Sequence, residues 1–146
     1  MAADPRSTRD LYDASAGAWT RNQPISLSDY TARPVVLKLC EPYRDARVLD
    51  LGCGEGYCAR QLRKSGAGEV LGIDLSSGMI EAAQREEEAR PLGISYRQGD
   101  AQTLAEIASE NFDLVVAVFL FNYVDCEAMN RCMREVFRVL RPGGKF

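Results

Sequence analysis

After residue 45, short apolar runs alternate with segments of helical periodicity, and this alternation constrains the fold more than any other feature. Strands that alternate with helices build a parallel sheet whose crossover helices cover its faces. The predicted strands are Arg47–Leu51, Glu69–Asp74, Ile94–Gln98 and Phe112–Phe121. The predicted helices are Gly56–Ser65, Ser77–Ala89, a short one at Gln102–Ala108, and Glu127–Leu140. The last helix is expected to be amphipathic, with an apolar face that includes Met129, Met133, Val136, Phe137 and Leu140. We therefore expect an α/β fold.

The first 45 residues have a different pattern. Thr8–Ala18 and Ser28–Cys40 are predicted to be helices, joined through a loop at Arg21–Ser26. We expect residues 1–45 to form a helical cap and residues 46–146 to form the sheet domain. In such architectures the cap packs over the crevice at the edge of the sheet where ligands bind.

The end of the chain predicts an incomplete sheet. Arg141–Gly144 (RPGG) is expected to stop the last helix, and a fifth strand is expected to begin at Lys145. The apolar strand Phe112–Phe121 would then have only a stub beside it, and exposed sheet edges promote association. The sequence thus suggests a partial chain or, alternatively, self-association or a partner that supplies the missing strands.

Composition excludes several classes of function. The chain has 146 residues and a net charge of −3, with scattered Lys and Arg, which argues against a nucleic-acid surface. No apolar run has the length of a membrane span, and MAADPRSTRD is not a secretion signal, so a cytoplasmic location is expected. The absence of histidine excludes histidine-based catalysis within these residues. Five cysteines without metal-ligand spacing are expected to be reduced thiols, and no metal site is predicted.

The strongest motif is Val48–Gly56 (VLDLGCGEG). Asp50 lies at the end of a strand, and a glycine-rich turn leads into a helix whose free N–H groups attract anions. The dinucleotide pattern G-x-G-x-x-G would need glycine at Tyr57, so a nucleoside ligand without a pyrophosphate is favoured. A purely structural turn is the alternative.

Two further acids follow predicted strands. Asp74 ends the second strand, where a carboxylate can accept both ribose hydroxyls, although an N-cap is the alternative. Asp100 follows the third strand and can accept from an adenine amino group, although a simple turn is the alternative. Because parallel strands end at one edge of the sheet, we expect the three acids to converge there.

These segments resemble the class I, Rossmann-like S-adenosylmethionine-dependent methyltransferases. VLDLGCGEG, GIDLS, GDA and FDLVVAVFLFNYV are similar to the family's first four motifs, and RPGGKF is similar to the loop that starts its fifth strand. Upstream, Tyr12-Asp13 with Ala16 and Trp19 resembles the family's YDxxAxxY opening, and Tyr30 with Arg33-Pro34 resembles its YxxRP segment. The resemblance implies a sheet of strand order 3-2-1-4 with the fifth strand begun.

The resemblance also implies roles for individual residues. Asp50, Gly52 and Gly54 would border the methionine portion of the cofactor, and Asp74 would bind its ribose. The adenine would be flanked and read by four residues, which are Leu75, Met79, Asp100 and Ala101. Phe119 would lie under the methyl donor, Arg33 would pair with the cofactor carboxylate, and Tyr12 and Trp19 would close the lid. Core packing is the alternative for Met79 and Phe119, helix docking for Tyr12 and Trp19, and a solvated charge for Arg33.

The function that the resemblance implies is methyl transfer from S-adenosylmethionine to a small-molecule acceptor. Methyl transfer mainly requires two reactants to be positioned and water to be excluded. If a base is needed, Tyr123 and Asp125 are the nearby candidates, with a loop tyrosine and a helix cap as the alternatives. Two other functions stay open: a non-catalytic cofactor-binding or interaction module, and a nicotinamide oxidoreductase, which Tyr57 disfavours.

Overall fold

The structure is a computed structural model that describes residues 9–14, 24–41 and 43–146. In these residues a five-stranded parallel sheet has the order β3-β2-β1-β4-β5, which confirms the expected α/β, Rossmann-like class. The strands are β1 (Arg47–Leu51), β2 (Glu69–Asp74), β3 (Ile94–Gln98), β4 (Phe112–Val116) and β5 (Leu140–Lys145). The helices are α1 (Leu27–Tyr30), α2 (Ala32–Leu39), α3 (Tyr57–Lys64), α4 (Ser77–Ala89) and α5 (Cys126–Val139). Residues 9–14 are also helical.

The central strand β1 is buried on both faces. Val48 packs in one apolar cluster with Leu62 of α3 and Ile80 of α4. Leu49 belongs to the cluster on the other face, which includes Val136 of α5. Because side chains alternate across a strand, a continuous apolar run such as VLDL fits a strand covered on both sides. Asp50, at the end of this run, is carried into the interior with it.

The predicted helix Ser28–Cys40 is divided in two at Thr31. Pro34 explains the division, because its ring would clash with the carbonyl of Tyr30 in a continuous helix and it has no N–H to donate there. In α2 the proline falls in the first turn, where the missing N–H costs little. The break places Arg33 on the first turn of α2, facing the Ser26–Asp29 segment.

The strand β4 ends at Val116 rather than at Phe121. Its partner β1 is paired only through Asp50, opposite Val116, and then turns away into the glycine-rich loop. Without a neighbour to hydrogen-bond, the chain leaves the sheet, and Phe121–Tyr123 forms a 3₁₀ turn. Phe119 lies in this connection with a φ of +66°.

The predicted helix Gln102–Ala108 is wrong, because these residues form turns. Arg138 of α5 donates to the carbonyls of Leu104 at 2.7 Å and Ile107 at 2.8 Å. Glu135 of α5 accepts from the Leu104 amide at 2.8 Å. These contacts replace the hydrogen bonds that a helix would make.

Two expectations for the C-terminal part were also wrong. The buried side chains of α5 are Ala128, Cys132, Val136 and Val139, whereas Met129, Met133 and Phe137 are exposed. The RPGG segment does not form a turn before the fifth strand; it lies within β5, which begins at Leu140 and pairs irregularly with β4.

Candidate functional site

A cavity of about 510 Å³ opens at the carboxyl edge of the sheet, where β1, β2, β3 and β4 end. The helical residues 9–14, the Ser26–Arg33 region and the first turns of α5 complete its walls. Eleven of the twelve residues predicted to bind cofactor line this cavity: Tyr12, Arg33, Asp50, Gly52, Gly54, Asp74, Leu75, Met79, Asp100, Ala101 and Phe119. The twelfth, Trp19, lies outside the described residues. The sequence therefore predicted which residues come together; their binding of a ligand stays a prediction.

The glycine-rich turn is held by backbone hydrogen bonds to the end of β2. The amides of Gly52 and Cys53 donate to the Ile73 carbonyl at 2.8 and 3.1 Å. The Gly54 amide donates to Oδ2 of Asp74 at 2.8 Å. The turn and the second predicted acid therefore form one hydrogen-bonded unit.

The glycines of this turn are required for different reasons. A Cβ at Gly56 would lie 2.5 Å from the hydroxyl of Tyr96, so packing against the protein excludes a side chain there. A Cβ at Gly54 would meet no protein atom within 4 Å, although its φ of +55° favours glycine. Because Gly54 lines the cavity, its Cα faces open space in the cavity rather than protein atoms.

Asp50 is the most buried acid of the site, with 1% of its surface exposed. Its Oδ2 is buried without a hydrogen-bond partner. The pKa of Asp50 is raised to about 7, mainly by burial and also by the charges of Asp74 and Glu55, while the Ala59 amide and Arg33 oppose the rise. An unpaired buried carboxylate oxygen in a cavity suits a ligand ammonium, which would satisfy and ionise it.

Asp74 and Asp100 each have a backbone partner. Oδ1 of Asp74 accepts from the Ser76 amide at 2.9 Å, and Oδ1 of Asp100 accepts from the Gln102 amide at 2.8 Å. Burial raises the pKa of Asp74, while the amides of Ser76 and Gly54 oppose the rise. The N-cap of α4 is Ser76 rather than Asp74, since Ser76 Oγ accepts from the Met79 amide at 3.1 Å. Carboxylate oxygens accept more than one hydrogen bond, so both acids retain capacity for ligand hydroxyls or amines.

The apolar lining comes from both sides of the cavity. Met79 is buried, whereas Leu75 and Phe119 are partly exposed at its surface. The positive φ of Phe119 is uncommon for an aromatic residue, and such strain concentrates at functional sites.

Arg33 already has an acidic partner within the protein. Its Nη1 donates to Oδ1 of the buried Asp29 at 2.6 Å, and its guanidinium lies over the rings of Phe119 and Tyr57 at 5.0 and 6.0 Å. The alternative of a freely solvated charge is therefore wrong, because the side chain is only 15% exposed. The arginine forms a cationic wall of the cavity.

Tyr12 and Tyr123 meet across the cavity. Their ring centroids are 5.6 Å apart in an edge-to-face arrangement. Burial raises the pKa of the Tyr12 hydroxyl, as do the hydrogen bond to Tyr123 and the charge of Asp74. Asp125, the other candidate base, caps α5 by accepting from the Ala128 amide at 2.8 Å.

Sequence reasoning missed two polar contacts at the site. Asp13 accepts from Ser76 Oγ at 2.5 Å and from the Gly78 amide at 3.0 Å, and the Tyr12-Asp13 pair was its only sequence signal. Arg60 of α3 donates to both the carbonyl and the carboxylate of Glu55 at 2.5 Å, and both residues are buried. No spacing rule for helices predicts this pair, because Glu55 precedes the helix.

The cysteine thiols of the cavity are held in their neutral form. Burial raises the pKa of Cys58 to about 12 and that of Cys132 to about 11.

Among the residues that the structure describes, no three His, Cys, Asp or Glu side chains are arranged to hold a metal ion. In the same part of the chain, no helix has the length and apolar character needed to cross a bilayer.

Comparison with known families matches residues 48–144 to the methyltransferase domain family. The malonyl-[acyl-carrier protein] O-methyltransferase of Enterobacter lignolyticus is 39% identical over 101 residues, which are 69% of this chain and 37% of that protein. The ubiquinone biosynthesis O-methyltransferase of Azorhizobium caulinodans is 37% identical over 103 residues, covering 70% of this chain and 39% of that protein. The chain thus spans about two fifths of the length of these curated relatives.

Solved structures show the same similarity. An S-adenosylmethionine-dependent methyltransferase from Mesorhizobium loti superposes with a TM-score of 0.67 at 32% identity, covering 76% of this chain and 49% of that one. The Haemonchus contortus phosphoethanolamine N-methyltransferase 2, in complex with S-adenosyl-L-methionine, gives a TM-score of 0.77 at 26% identity, covering 93% of this chain and 34% of that one. With the parallel sheet, the glycine-rich turn and the acid-lined cavity, these matches show that the chain belongs to the class I S-adenosylmethionine-dependent methyltransferase family.

Proposed function

We propose that this chain binds S-adenosylmethionine in the cavity at the carboxyl edge of the sheet and takes part in methyl transfer to a small-molecule acceptor, with S-adenosylhomocysteine as the product. One observation carries the proposal: Asp50, Asp74 and Asp100, which lie at or just after the ends of three different strands, line one cavity beside the open face of Gly54.

The adenosine part of the cofactor is assigned to the ends of β2 and β3. Asp74 accepts from the ribose hydroxyls, and Asp100 with the Ala101 backbone receives the adenine edge. Leu75 and Met79 supply apolar surface for the faces of the base. These assignments use a carboxylate at each polar edge and apolar side chains at the ring.

The methionine part is assigned to the end of β1. The unpaired Oδ2 of Asp50 accepts from the ammonium group, and the backbone at Gly52 and Gly54 lies against the aliphatic chain. The carboxylate is assigned to the cationic wall formed by Arg33. Since Arg33 is shared with Asp29, this attraction supplements the pairing at Asp50.

The bound cofactor would supply an activated methyl group on a positively charged sulfur. The protein's own contribution is to position the two reactants and to exclude water. Phe119, Tyr12 and Tyr123 line the cavity with aromatic surface, which is suited to a cationic group. Tyr123 and Asp125 both line the cavity and are the candidate bases for an acceptor that must lose a proton, and Asp125 also caps α5.

A small-molecule acceptor is supported by the size of the cavity and by the relatives that are named for ubiquinone biosynthesis and phosphoethanolamine. The relative named for malonyl-[acyl-carrier protein] does not add to this support, because that name includes a carrier protein. A net charge of −3 disfavours nucleic acid as the acceptor. We also propose that the protein is cytoplasmic and that it self-associates through the exposed edge of the sheet.

The direct test is calorimetric titration with S-adenosylhomocysteine, adenosine and 2′,3′-dideoxyadenosine. We expect saturable binding of the first two and a loss of about tenfold or more for the dideoxy compound, because Asp74 loses its hydroxyl donors. This comparison tests Asp74 without altering the protein. Asp74→Ala is expected to abolish the difference between the two nucleosides, while the exposed Glu88→Ala is the control. Absence of S-adenosylhomocysteine binding by the folded chain would contradict the proposal.

The two alternative functions give different results in related assays. Binding without methyl transfer to any acceptor, in a protein extended to the length of its relatives, would support the non-catalytic module. Thermal stabilisation by NADH and not by S-adenosylhomocysteine would support the nicotinamide oxidoreductase.

A further inference from the structure

We propose that Asp13 is a positioning residue for the cofactor site: it fastens the N-terminal helix (residues 9–14) to the start of α4 and thereby holds Tyr12 over the cavity. The inference rests on the proposed function for the identity of the ligand. It adds a dependence of cofactor affinity on a side chain that does not itself line the cavity.

The contact joins parts of the chain that are 63 residues apart. Oδ1 of Asp13 accepts from Ser76 Oγ at 2.5 Å and from the Gly78 amide at 3.0 Å. Gly78 belongs to the first turn of α4, whose amides lack partners within the helix. A carboxylate from outside the helix therefore satisfies one of these donors and opposes the positive end of the helix dipole.

Ser76 connects this contact to the proposed ribose acid. Its backbone amide donates to Asp74 at 2.9 Å, while its hydroxyl donates to Asp13 and accepts from the Met79 amide. The serine is 1% exposed, so these groups have fixed positions. A displacement of Asp13 would consequently also displace Ser76, which orients Asp74 and caps the helix that carries Met79.

The helix that Asp13 holds contributes to the cavity wall. Tyr12, the preceding residue, lines the cavity and packs edge-to-face on Tyr123, which follows β4. The Asp13 contact with the start of α4 and the aromatic contact with Tyr123 therefore attach the helix at two points. Among the described residues, Asp13 also pairs with Arg9 at 3.6 Å, and this solvent-accessible pair contributes little.

The hydrogen bonds from Ser76 and Gly78 lower the pKa of Asp13, so the group is ionised at neutral pH. By linkage, if closure of the helix strengthens ligand binding, then ligand binding must stabilise the closed helix by the same factor. Both sides of this coupling can be measured.

The experiment compares four variants. Asp13→Ala removes the acceptor, and Asp13→Lys places a cation at the start of α4. Asp13→Asn retains Oδ1, the atom that accepts both hydrogen bonds, and serves as the conservative rescue. Asp10→Ala removes an exposed acid from the same helix and serves as the matched control.

Two readouts are measured, the affinity for S-adenosylhomocysteine by calorimetry and hydrogen exchange of the peptide containing residues 9–14. We expect Asp13→Ala to weaken binding about tenfold and to raise exchange of this peptide, with a larger effect for Asp13→Lys. Asp13→Asn should stay within about threefold of the wild type, and Asp10→Ala should be unchanged. In the wild type, the ligand should slow exchange of the same peptide.

Wild-type affinity and exchange in Asp13→Ala and Asp13→Lys would overturn the inference. Raised exchange without weaker binding would also overturn it, because the contact would then be purely structural. If the wild type does not bind S-adenosylhomocysteine, the proposed function fails, and the claim that Asp13 affects cofactor affinity fails with it. Exchange of residues 9–14 in the unliganded variants would then still show whether Asp13 holds the helix.

Discussion

Ligand affinity is expected to depend on pH through Asp50. The neutral carboxyl is favoured in the empty cavity, whereas the ionised carboxylate is favoured beside a bound ammonium. Its pKa of about 7, raised first by burial, means that much of this carboxyl is protonated at neutral pH. A ligand ammonium lowers that pKa, so binding releases a proton. We therefore predict that affinity for S-adenosylhomocysteine falls as the pH drops below about 7, approaching tenfold per pH unit, and levels off above it.

Calorimetry between pH 5.5 and 8.5 measures this dependence, and Asp50→Asn is the matched variant. We expect the variant to bind more weakly at pH 8 and to lose the pH dependence below 7. The folded-state pKa is raised above the unfolded value, so the ionised carboxylate destabilises the folded protein as the pH rises through 7. The same variant should therefore be more stable than the wild type at pH 8. A pH-independent wild-type affinity would contradict the assignment of Asp50.

Substitutions at two glycines of the turn can distinguish an effect on ligand affinity from an effect on folding stability. We predict that Gly54→Ala costs roughly 1–2 kcal/mol of folding free energy, because of its φ of +55°, and weakens S-adenosylhomocysteine binding at least about tenfold. Gly56→Ala adds a contact of 2.5 Å with the Tyr96 hydroxyl and is expected to cost about 1–3 kcal/mol more. Urea unfolding and calorimetry of both variants measure the contrast. Equal effects of the two substitutions on affinity and on stability would argue against a ligand beside Gly54.

At this scale the sequence predicted the acids better than their surroundings. Asp50, Asp74 and Asp100 could be placed at one edge because parallel strands end together, whatever the details of packing. The pairing of Arg33 with Asp29 was missed because the helix break between them was missed, although Pro34 is a local signal for that break. The pairing of Arg60 with Glu55 depends on the path of the glycine-rich turn, which tertiary contacts set.

At the scale of elements, the strands flanked by clear turns were predicted to the residue, as with β1, β2 and β3. The failures occurred where an element depends on a distant partner. The apolar run after Val116 favours a strand, but β1 no longer offers a neighbour there. The buried face of α5 also depends on a distant partner. The helix has two apolar stripes, one of which contains the exposed Phe137, and only packing against the sheet decides which stripe is buried.

The segment 102–108 gives a prediction for an element. Its turns depend on Arg138, which donates to Leu104, Ile107 and Glu135. We predict that Arg138→Met destabilises the fold by about 1–3 kcal/mol, because two carbonyls lose a charged donor. The exposed Arg134→Met on the same helix is the control and should change stability by less than about 0.5 kcal/mol. Urea denaturation gives both values, and a loss as small as that of the control would show that the turns are held by apolar packing alone.

At the scale of the whole molecule, the cavity joins segments that are otherwise connected only through the sheet. The residues that line it come from the N-terminal helix, the glycine-rich turn, the ends of β2, β3 and β4, and the start of α5. A ligand that contacts all of these is bound only by the assembled fold and not by the unfolded chain. Its free energy of binding therefore adds to the stability of the entire molecule.

We therefore predict that S-adenosylhomocysteine at about 100 times its dissociation constant stabilises the chain by about 2.7 kcal/mol, which for this size raises Tm by roughly 5–10 °C. Adenosine at the same multiple of its own constant should give an equal shift, since the stabilisation depends on saturation. Protection from hydrogen exchange should differ, however, because only the complete ligand reaches Asp50 and the turn at Gly54. Thermal melts with exchange measurements test both statements. A Tm that rises with ligand while exchange slows only around β2 and β3 would confine the site to a nucleoside pocket, since a ligand held at the end of β1 must also slow exchange in the glycine-rich turn.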